Sequence, residues 1–304
     1  MAVINFYAHG GLDRAAHLRE AANWLEAALA RQGTRLVPVW QSRNLIQAAA
    51  EIPQAALLPA AEAADLLSEA GAVALLGNLD EVAHLAVDLS HLAEAEAQRR
   101  AERWGEWLDL RRVGPVIDRR HGSLLAYARG LMHWHARHGF CGVCGSPTES
   151  ASAGHVRKCR NPACGASHFP RTDPAVIMLV HDGERALLGR QKIWPKGMYS
   201  TLAGFVEPGE SLEETVAREV FEESGIRVKD VVYHSSQPWP FPASLMVGFH
   251  ATAASRAIDL NVSELEDAAW FTRAEMRAFA DQGKSLPRLD SIARQLVEDW
   301  LARG

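Results

Sequence analysis

The chain has few of the features that mark membrane, secreted or repetitive proteins. It has four cysteines in 304 residues, and none of its apolar runs approaches the roughly twenty residues that span a bilayer. Its opening segment, MAVINFYAHGGLDR, lacks the basic and apolar regions of a targeting signal. Internal repeats and low-complexity linkers are also absent. We therefore expect a cytoplasmic protein without membrane contact, and we exclude a secreted disulfide scaffold.

The charge balance gives no support for a large nucleic-acid surface. The formal net charge is -5, and 48% hydrophobic with 23% charged residues is typical of a soluble globular protein. Arginines are frequent between residues 99 and 120, but Glu102, Glu106 and Asp109 are interleaved with them. We interpret this stretch as a salt-bridged surface.

The four cysteines have the spacing of a metal site. They form two close pairs among turn residues, Cys141-x2-Cys144 and Cys159-x4-Cys164. Two such hairpins predict a tetrahedral Zn2+ site of the zinc-ribbon kind, and the missing signal peptide disfavours disulfides. Because cysteine fills every ligand position, the zinc should be structural. We interpret three other residues as ordinary surface or core histidines: His155, His168 and His181.

A carboxylate-rich segment, GFVEPGESLEETVAREVFEESGI, runs from Gly204 to Ile226. Ser211 and Glu214 form an S-x-x-E capping box, in which each side chain satisfies an amide of the first helical turn. The pattern predicts a helix that begins near Ser211 and ends at Ser224.

The apolar stripe of this helix is interrupted by acids. Leu212 and Val216 begin the stripe, and Glu219 and Glu223 occupy its continuation. With Glu222 beside them, three like charges crowd one face and repel unless a cation lies between them. Such oxygen ligands suit Mg2+ or Mn2+, which also bridge phosphate oxygens. A solvated acidic face is the alternative, but these acids stand where a structural helix would place apolar residues.

The segment resembles the Nudix box, G-x5-E-x7-R-E-U-x-E-E-x-G-U. Every fixed position matches: Gly204, Glu210, Arg218, Glu219, Val220, Glu222, Glu223, Gly225 and Ile226. The Nudix family hydrolyses nucleoside diphosphates linked to another moiety. The resemblance implies that Glu219, Glu222 and Glu223 bind the catalytic metal and that Arg218 orients their carboxylates.

A proline-rich segment, SQPWPFPAS at residues 236–244, follows the box. Proline gives up a ladder hydrogen bond, so we predict a stiff, exposed or semi-exposed loop rather than an ordinary central strand. Rigid aromatics suit stacking on a flat heterocycle, with Trp239 and Phe205 as candidates, and a hydrophobic loop anchor is the alternative. The segment resembles the SQPWPFPxS array of NADH pyrophosphatases, a branch of the Nudix family.

This second resemblance implies a set of substrate-binding residues. They are Phe205, Gln237, Trp239, Phe241, Ser244, Phe169, Ile177 and Ala293. At Phe169 the family often has tyrosine, so stacking would survive here while a phenolic hydrogen bond would not.

The implied reaction is metal-assisted attack of water on one phosphorus of a pyrophosphate. Glu264 matches the acid that NADH pyrophosphatases place opposite the box helix, as a fourth metal ligand or as the base. Glu222 and Glu223 compete for the role of base. Alternatively, Glu264 is an ordinary loop acid beside Glu266.

The resemblance extends in outline to the whole chain and predicts a multidomain α+β protein. We expect an N-terminal α+β domain (1–138), a zinc ribbon (139–169) and a Nudix domain (170–304) with a mixed sheet between helices. Helices are predicted at Arg14–Arg31, Gly122–His138 and Asp290–Ala302. Extended segments are predicted at Arg35–Trp40, Ala72–Leu76, Val82–Leu89, Arg185–Gln191, Val228–Ser235 and Leu245–Ala251.

The sequence thus predicts a homodimeric NADH pyrophosphatase that hydrolyses NADH or NAD+ to NMN(H) and AMP. RNA carrying NAD at its 5′ end is a further candidate substrate. A broader nucleoside-diphosphate or ADP-ribose pyrophosphatase is the alternative. A non-catalytic regulator is disfavoured because every box carboxylate is present.

Overall fold

The computed structural model describes residues 5–47 and 51–303. The first four residues of the opening segment and the C-terminal end of the predicted third domain lie outside these ranges. The described chain forms two compact units, one of residues 7–47, 51–172 and 239–243, the other of residues 5–6, 173–238 and 244–303. Within these ranges, no helix has both the length and the apolar character needed to cross a bilayer.

The first unit contains a seven-stranded sheet and a three-stranded ribbon sheet. Its strands are β1 (Arg35–Trp40), β2 (Arg43–Gln47), β3 (Gln54–Ala55), β4 (Leu58–Pro59), β5 (Ala72–Leu79), β6 (Val82–Asp88), β7 (Glu106–Leu108), β8 (Thr148–Ala151), β9 (Val156–Cys159) and β10 (Ser167–His168). Its helices are α1 (Trp24–Ala30), α2 (Ala64–Ser68), α3 (Glu94–Ala101), α4 (Leu110–Val113) and α5 (Arg119–Arg137), with 3-10 turns at Ala16–Leu18 and Ser152–Gly154.

The large sheet has the order β3-β2-β1-β6-β5, with β4 against β1 and β7 against β2. β1 and β6 are parallel, and buried Leu36 and Leu85 lie opposite each other at their centre. The predicted helix from Arg14 to Arg31 is shorter than expected and begins at Trp24. Ala15 adopts a left-handed φ of 45°, which an α-helix does not tolerate.

The second unit is built on a six-stranded mixed sheet. Its strands are β11 (Asp173–His181), β12 (Arg185–Arg190), β13 (Leu202–Phe205), β14 (Val228–Trp239), β15 (Ser244–Ala253) and β16 (Asp267–Thr272). Its helices are α6 (Leu212–Ser224), α7 (Arg273–Arg277) and α8 (Ile292–Ala302), with a 3-10 turn at Ala280–Gln282. The order is β14-β15-β11-β12-β16, with β13 against β11. β11 and β15 are parallel, whereas β12 is antiparallel to β11 and β16.

The two faces of this sheet carry different helices because side chains alternate along the central strand. On β11, Val176 and Met178 pack in a core with Val216 of α6. Between them in sequence, Ile177 packs on the other face with Leu296 of α8. The predicted α/β/α arrangement with a mixed sheet is confirmed.

The proline-rich segment corrects one prediction. Its first part is not a loop, because β14 continues through Ser236 to Trp239. β14 is an edge strand and pairs with a neighbour on one side only. The backbone N–H that Pro238 lacks is therefore not needed for pairing on the open side. Residues 240–243 form the turn into β15.

Candidate active site

Helix α6 is closed at both ends by its own residues. Ser211 Oγ accepts from the Glu214 amide at 3.2 Å, and Glu214 Oε2 accepts from the Ser211 amide at 2.8 Å. At the C-terminus, Gly225 takes the left-handed conformation (φ 69°) and donates its amide to the Phe221 carbonyl. The capping box predicted from sequence is therefore formed, and the acidic face is presented on a fixed helix.

Arg218 holds the acids of the box in place. Its Nε and one terminal nitrogen form a two-point contact with the carboxylate of Glu210, at 2.6 and 2.8 Å. Its other terminal nitrogen donates to Glu219 at 2.8 Å and to Glu222 at 3.0 Å. A further bond reaches the Phe205 carbonyl at 2.9 Å. The guanidinium thus joins the helix to β13 through charge-assisted bonds.

Glu210 supplies the anchor for this contact. Its carboxylate also accepts from the Glu207 amide at 3.0 Å and from Thr215 Oγ1 at 2.9 Å. These donors, with Arg218 first, lower the pKa of Glu210 to about 2. The sequence identifies Glu210 only as a fixed position of the box, and its role as the anchor of Arg218 follows from these contacts.

Glu219 lies against the backbone of β13. A Cβ on Gly204 would stand 1.8 Å from the Glu219 carboxyl carbon, so only glycine leaves room for the carboxylate. Burial raises the pKa of Glu219, and the bond from Arg218 offsets part of that effect.

Glu223 is the most buried acid of the site, with 4% of its surface exposed. Within the described chain, its Oε2 has no hydrogen-bond partner. Burial raises the pKa of Glu223 to about 8, and repulsion by Glu219 and Glu264 adds to the effect. A buried carboxylate oxygen without a donor, beside other acids, has the environment of a cation ligand.

Glu264 faces the same acids from the loop before β16. Asn261 Nδ2 donates to its carboxylate at 3.1 Å, and the Asn261 amide donates to the Glu223 carbonyl at 3.1 Å. Asn261 thus connects the loop to the end of α6. Arg218 bonds to Glu219 and Glu222, and Glu264 is close enough to Glu219 and Glu223 to repel their charges. Carboxylate oxygens of this kind could hold Mg2+ or Mn2+.

The four cysteines converge as the spacing predicts. All their sulfurs lie within 4.8 Å of one another, with Cys141–Cys164 at 3.8 Å and Cys144–Cys159 at 3.4 Å. Sulfurs around one tetrahedral Zn2+ are about 3.8 Å apart, given Zn–S bonds of about 2.3 Å. The donor set therefore fits structural zinc.

One histidine near this site is not an ordinary surface or core residue. His168 Nε2 lies 3.2 Å from Cys141 Sγ, because β10 pairs with β9 beside the cysteines. A ring N–H donated to the thiolate would stabilise its negative charge. His155 is a core histidine, with Nε2 2.8 Å from the Leu75 carbonyl.

The aromatic residues of the proline-rich segment pack against Tyr7. Trp239 is half-buried, with its ring centroid 6.2 Å from that of Tyr7 and 5.0 Å from that of Phe241. Phe241 is buried, and the guanidinium groups of Arg111 and Arg129 lie 4.8 and 4.9 Å from its ring centroid. The rings of Tyr7, Trp239 and Phe241 therefore form one edge-to-face cluster.

Gln237 is fully buried, and its amide group bonds to the backbone. Its Nε2 donates to the carbonyls of Asp290 at 2.7 Å and Phe6 at 3.2 Å, and its Oε1 accepts from the Ile292 amide at 2.7 Å. In this arrangement the side chain fixes the start of α8.

The remaining predicted substrate residues have different environments. Ile177 and Ala293 share the apolar core between the sheet and α8. Ser244 begins β15 and pairs with Asp173. Phe205 and Phe169 expose 59% and 66% of their surface, which leaves both rings accessible.

Three family models match the chain in order. They are described as NADH pyrophosphatase-like rudimentary NUDIX domain (residues 33–134), NADH pyrophosphatase zinc ribbon domain (136–169) and NUDIX domain (171–289). The NAD-capped RNA hydrolase NudC of Mycobacterium bovis is 42% identical over 312 residues, covering 96% of this chain and 93% of the relative. The chain belongs to the NudC family of Nudix hydrolases. The family predicted from the box and the proline-rich segment is thereby confirmed.

Similarity to this family extends to eukaryotic proteins. The NAD-capped RNA hydrolase NUDT12 of Macaca fascicularis is 43% identical over 197 residues, covering 61% of this chain and 43% of the relative. A solved NUDIX hydrolase from Nitrosomonas europaea is 20% identical, with a TM-score of 0.40 over 48% of this chain and 96% of that one.

Proposed function

We propose that this NudC-family chain hydrolyses the pyrophosphate of NADH and NAD+ to NMN(H) and AMP, and that it removes NAD caps from RNA 5′ ends. The carboxylates of Glu219, Glu222, Glu223 and Glu264, two of which bond to Arg218, carry the proposal. The relatives named NAD-capped RNA hydrolase, one of them 42% identical over nearly the whole chain, support the substrate class.

We infer that Mg2+ or Mn2+ is held by Glu219, Glu222, Glu223 and Glu264. When bound, such an ion neutralises the diphosphate and lowers the pKa of coordinated water. Arg218 contributes by holding Glu219 and Glu222 at a fixed separation, so that little reorganisation is needed when the ion binds. Water attacks one phosphorus, the P–O bond to the bridging oxygen breaks, and the two nucleoside monophosphates leave.

A carboxylate must accept the proton from the attacking water. We assign this role to Glu223 or Glu264. Glu223 already has a raised pKa, and Glu264 lies on a loop that approaches from outside the helix. A base whose pKa is near the working pH is deprotonated in much of the protein and is still basic enough to accept the proton from water.

We propose that aromatic side chains bind the base or nicotinamide end of the substrate. Trp239 has a ring held by Tyr7 and Phe241, and Phe205 has an exposed ring next to Gly204. Phe169, Phe241, Ser244, Gln237, Ile177 and Ala293 complete the proposed set. For Gln237, Ile177 and Ala293, burial favours an indirect role through the position of α8.

The wider assignments are proposals too. We propose domains at 1–138, 139–169 and 170–304, a homodimer, and a cytoplasmic location, since a reducing compartment keeps four thiolates free for zinc. Phe140 and Phe169 beside the ribbon expose 70% and 66% of their surface, which suits contact with a second chain.

One comparison of substrates tests the activity. Purified protein with Mg2+ or Mn2+ should cleave NADH, NAD+ and NAD-capped RNA faster than ADP-ribose, with NMN(H) among the products. Glu219→Gln should remove all these activities, which excludes a contaminating enzyme. Equal turnover of ADP-ribose would instead favour the broader pyrophosphatase, and inactivity on every substrate would refute the proposal.

A further inference from the structure

A second group of potential metal ligands lies in the unit that contains the Nudix box. His234 is on β14, His250 is on neighbouring β15, and Asp299 is in the last turn of α8. One ligand atom from each lies within 4.8 Å of the other two. His250 pairs in register with Leu179, which faces α8. The group therefore occupies the face of the sheet opposite to the glutamates of α6.

The distances fit coordination of a single ion. Asp299 Oδ2 lies 3.4 Å from His250 Nε2 and 3.5 Å from His234 Nε2. Ligand atoms of one tetrahedral site with bonds of about 2.0–2.1 Å are about 3.3–3.4 Å apart. An ion could enter between them without a shift of the strands.

The two imidazoles are poorly satisfied without an ion. Their side chains expose only 4% (His234) and 11% (His250), and neither Nε2 has a hydrogen-bond partner in the described part of the chain. Burial favours the neutral imidazole, which is the form that binds metals. A cavity of about 450 Å3 adjoins the rings and is also lined by His181 and Tyr233.

The surroundings of His234 fit a metal ligand. Its Nδ1 lies 2.7 Å from Ser235 Oγ, which also accepts from Asn5 Nδ2 at 2.9 Å. A proton donated from Nδ1 to Ser235 leaves the lone pair of Nε2 directed at the space beside Asp299. Metal-binding histidines are commonly oriented by such a bond through their other nitrogen.

Arg303 is a competing cation at this site. One of its terminal nitrogens lies 2.6 Å from Asp299 Oδ2, but 63% of its side chain is exposed. An arginine this exposed can turn toward solvent at little cost, because surface ion pairs contribute little. Its removal should therefore strengthen the binding of a cation.

We propose that His234 Nε2, His250 Nε2 and the Asp299 carboxylate bind one divalent transition-metal ion of the zinc class. Two imidazoles and a single carboxylate favour Zn2+ and its neighbours over Mg2+. A fourth coordination position would face the cavity and accept water or a small ligand. The inference does not depend on the proposed pyrophosphatase activity.

Metal counting tests the site. Protein with a zinc-filled ribbon should take up one more equivalent of Zn2+ than His250→Ala. The variant should bind at that site more than about a hundredfold more weakly, since even outer-shell losses cost about 10–100-fold. His181 lines the same cavity but supplies no ligand, so His181→Ala should take up as much Zn2+ as the wild type. Equal stoichiometry and affinity in the wild type and His250→Ala would overturn the proposal.

A second measurement needs no loss-of-ligand variant. The imidazole NMR resonances of His234 and His250 should change as Zn2+ is added to the intact protein, and half of the change should occur at lower Zn2+ in Arg303→Gln. Ions held by the cysteines or glutamates would not move these two resonances by direct coordination. Unchanged resonances at several equivalents of Zn2+ would refute the site, whether or not the alanine variants fold.

Discussion

The carboxylate of Glu219 fills the space in which Gly204 would carry a side chain. A Cβ at that position would lie 1.8 Å from the carboxyl carbon and 2.0 Å from one carboxylate oxygen. Gly204 is not among the glycines with a positive φ, so its lack of a side chain matters for space rather than for backbone torsion. A side chain at Gly204 and the carboxylate of Glu219 therefore cannot occupy this space together.

Gly204→Ala should therefore displace Glu219 and impair catalysis. We expect kcat to fall about a hundredfold, because misplacement of a catalytic group by about 1 Å can cost that much. Gly139→Ala is the control, since nothing lies within 4 Å of its added Cβ. Steady-state kinetics with circular dichroism would check this, and wild-type kcat in a folded Gly204→Ala protein would contradict it.

The buried acid Glu223 should give the metal-free protein an unusual pH dependence. Its pKa rises from 4.5 to about 8 on folding, so deprotonation between these values favours the unfolded chain. Stability should fall as pH rises from about 5 to about 8, by a few kcal/mol at most. Glu223→Gln should lose this component of the pH dependence, and saturating Mg2+ should suppress it in the wild type.

Urea unfolding at several pH values, with Mg2+ and Mn2+ removed by dialysis and the ribbon zinc left in place, would measure this effect. Glu213→Gln is a matched control, because Glu213 is an exposed acid on the same helix. The assignment fails if Glu223→Gln and Glu213→Gln follow the same pH profile.

Loss of a ribbon ligand should affect folding more than chemistry. Cys159→Ser removes one of four converging thiolates, and a closed zinc site contributes directly to folding energy. We expect about one tightly held Zn2+ in the wild-type ribbon, and a lower Tm and solubility in the variant. Metal analysis and calorimetry would test this, and an unchanged Tm with no ribbon zinc in either protein would contradict it.

Trp239 should discriminate between substrates. Trp239→Ala should lower kcat/KM for NADH by about one to two decades, since base stacking is worth about 1–3 kcal/mol, while ADP-ribose hydrolysis should change little. Trp239→Phe should restore part of the loss. Equal losses on both substrates would identify Trp239 as a structural anchor of Tyr7 and Phe241.

Local patterns predicted the box helix well because its determinants are close in sequence. Ser211 and Glu214 are three residues apart, and the helix ends at Ser224 before Gly225 as expected. The extension of β14 to Trp239 was missed because proline-rich sequence is compatible with an edge strand, and edge position depends on the whole sheet.

Contacts between distant residues could not be predicted in this way. Gln237 bonds to the backbone of Asp290 and Ile292, more than fifty residues away. His234, His250 and Asp299 come from two strands and a helix, and no spacing rule connects them. Only the packing of α8 on the sheet brings Asp299 to the histidines.

Closure of α6 by its own caps has a consequence for how the protein responds to metal depletion. Ser211, Glu214 and Gly225 satisfy the helix ends, and Arg218 already neutralises part of the acidic face. Removal of Mg2+ or Mn2+ should therefore stop turnover reversibly and leave the fold intact. Removal of Zn2+ from the four cysteines should unfold the ribbon. The same chelator would act on one part of the chain as an inhibitor and on the other as a denaturant.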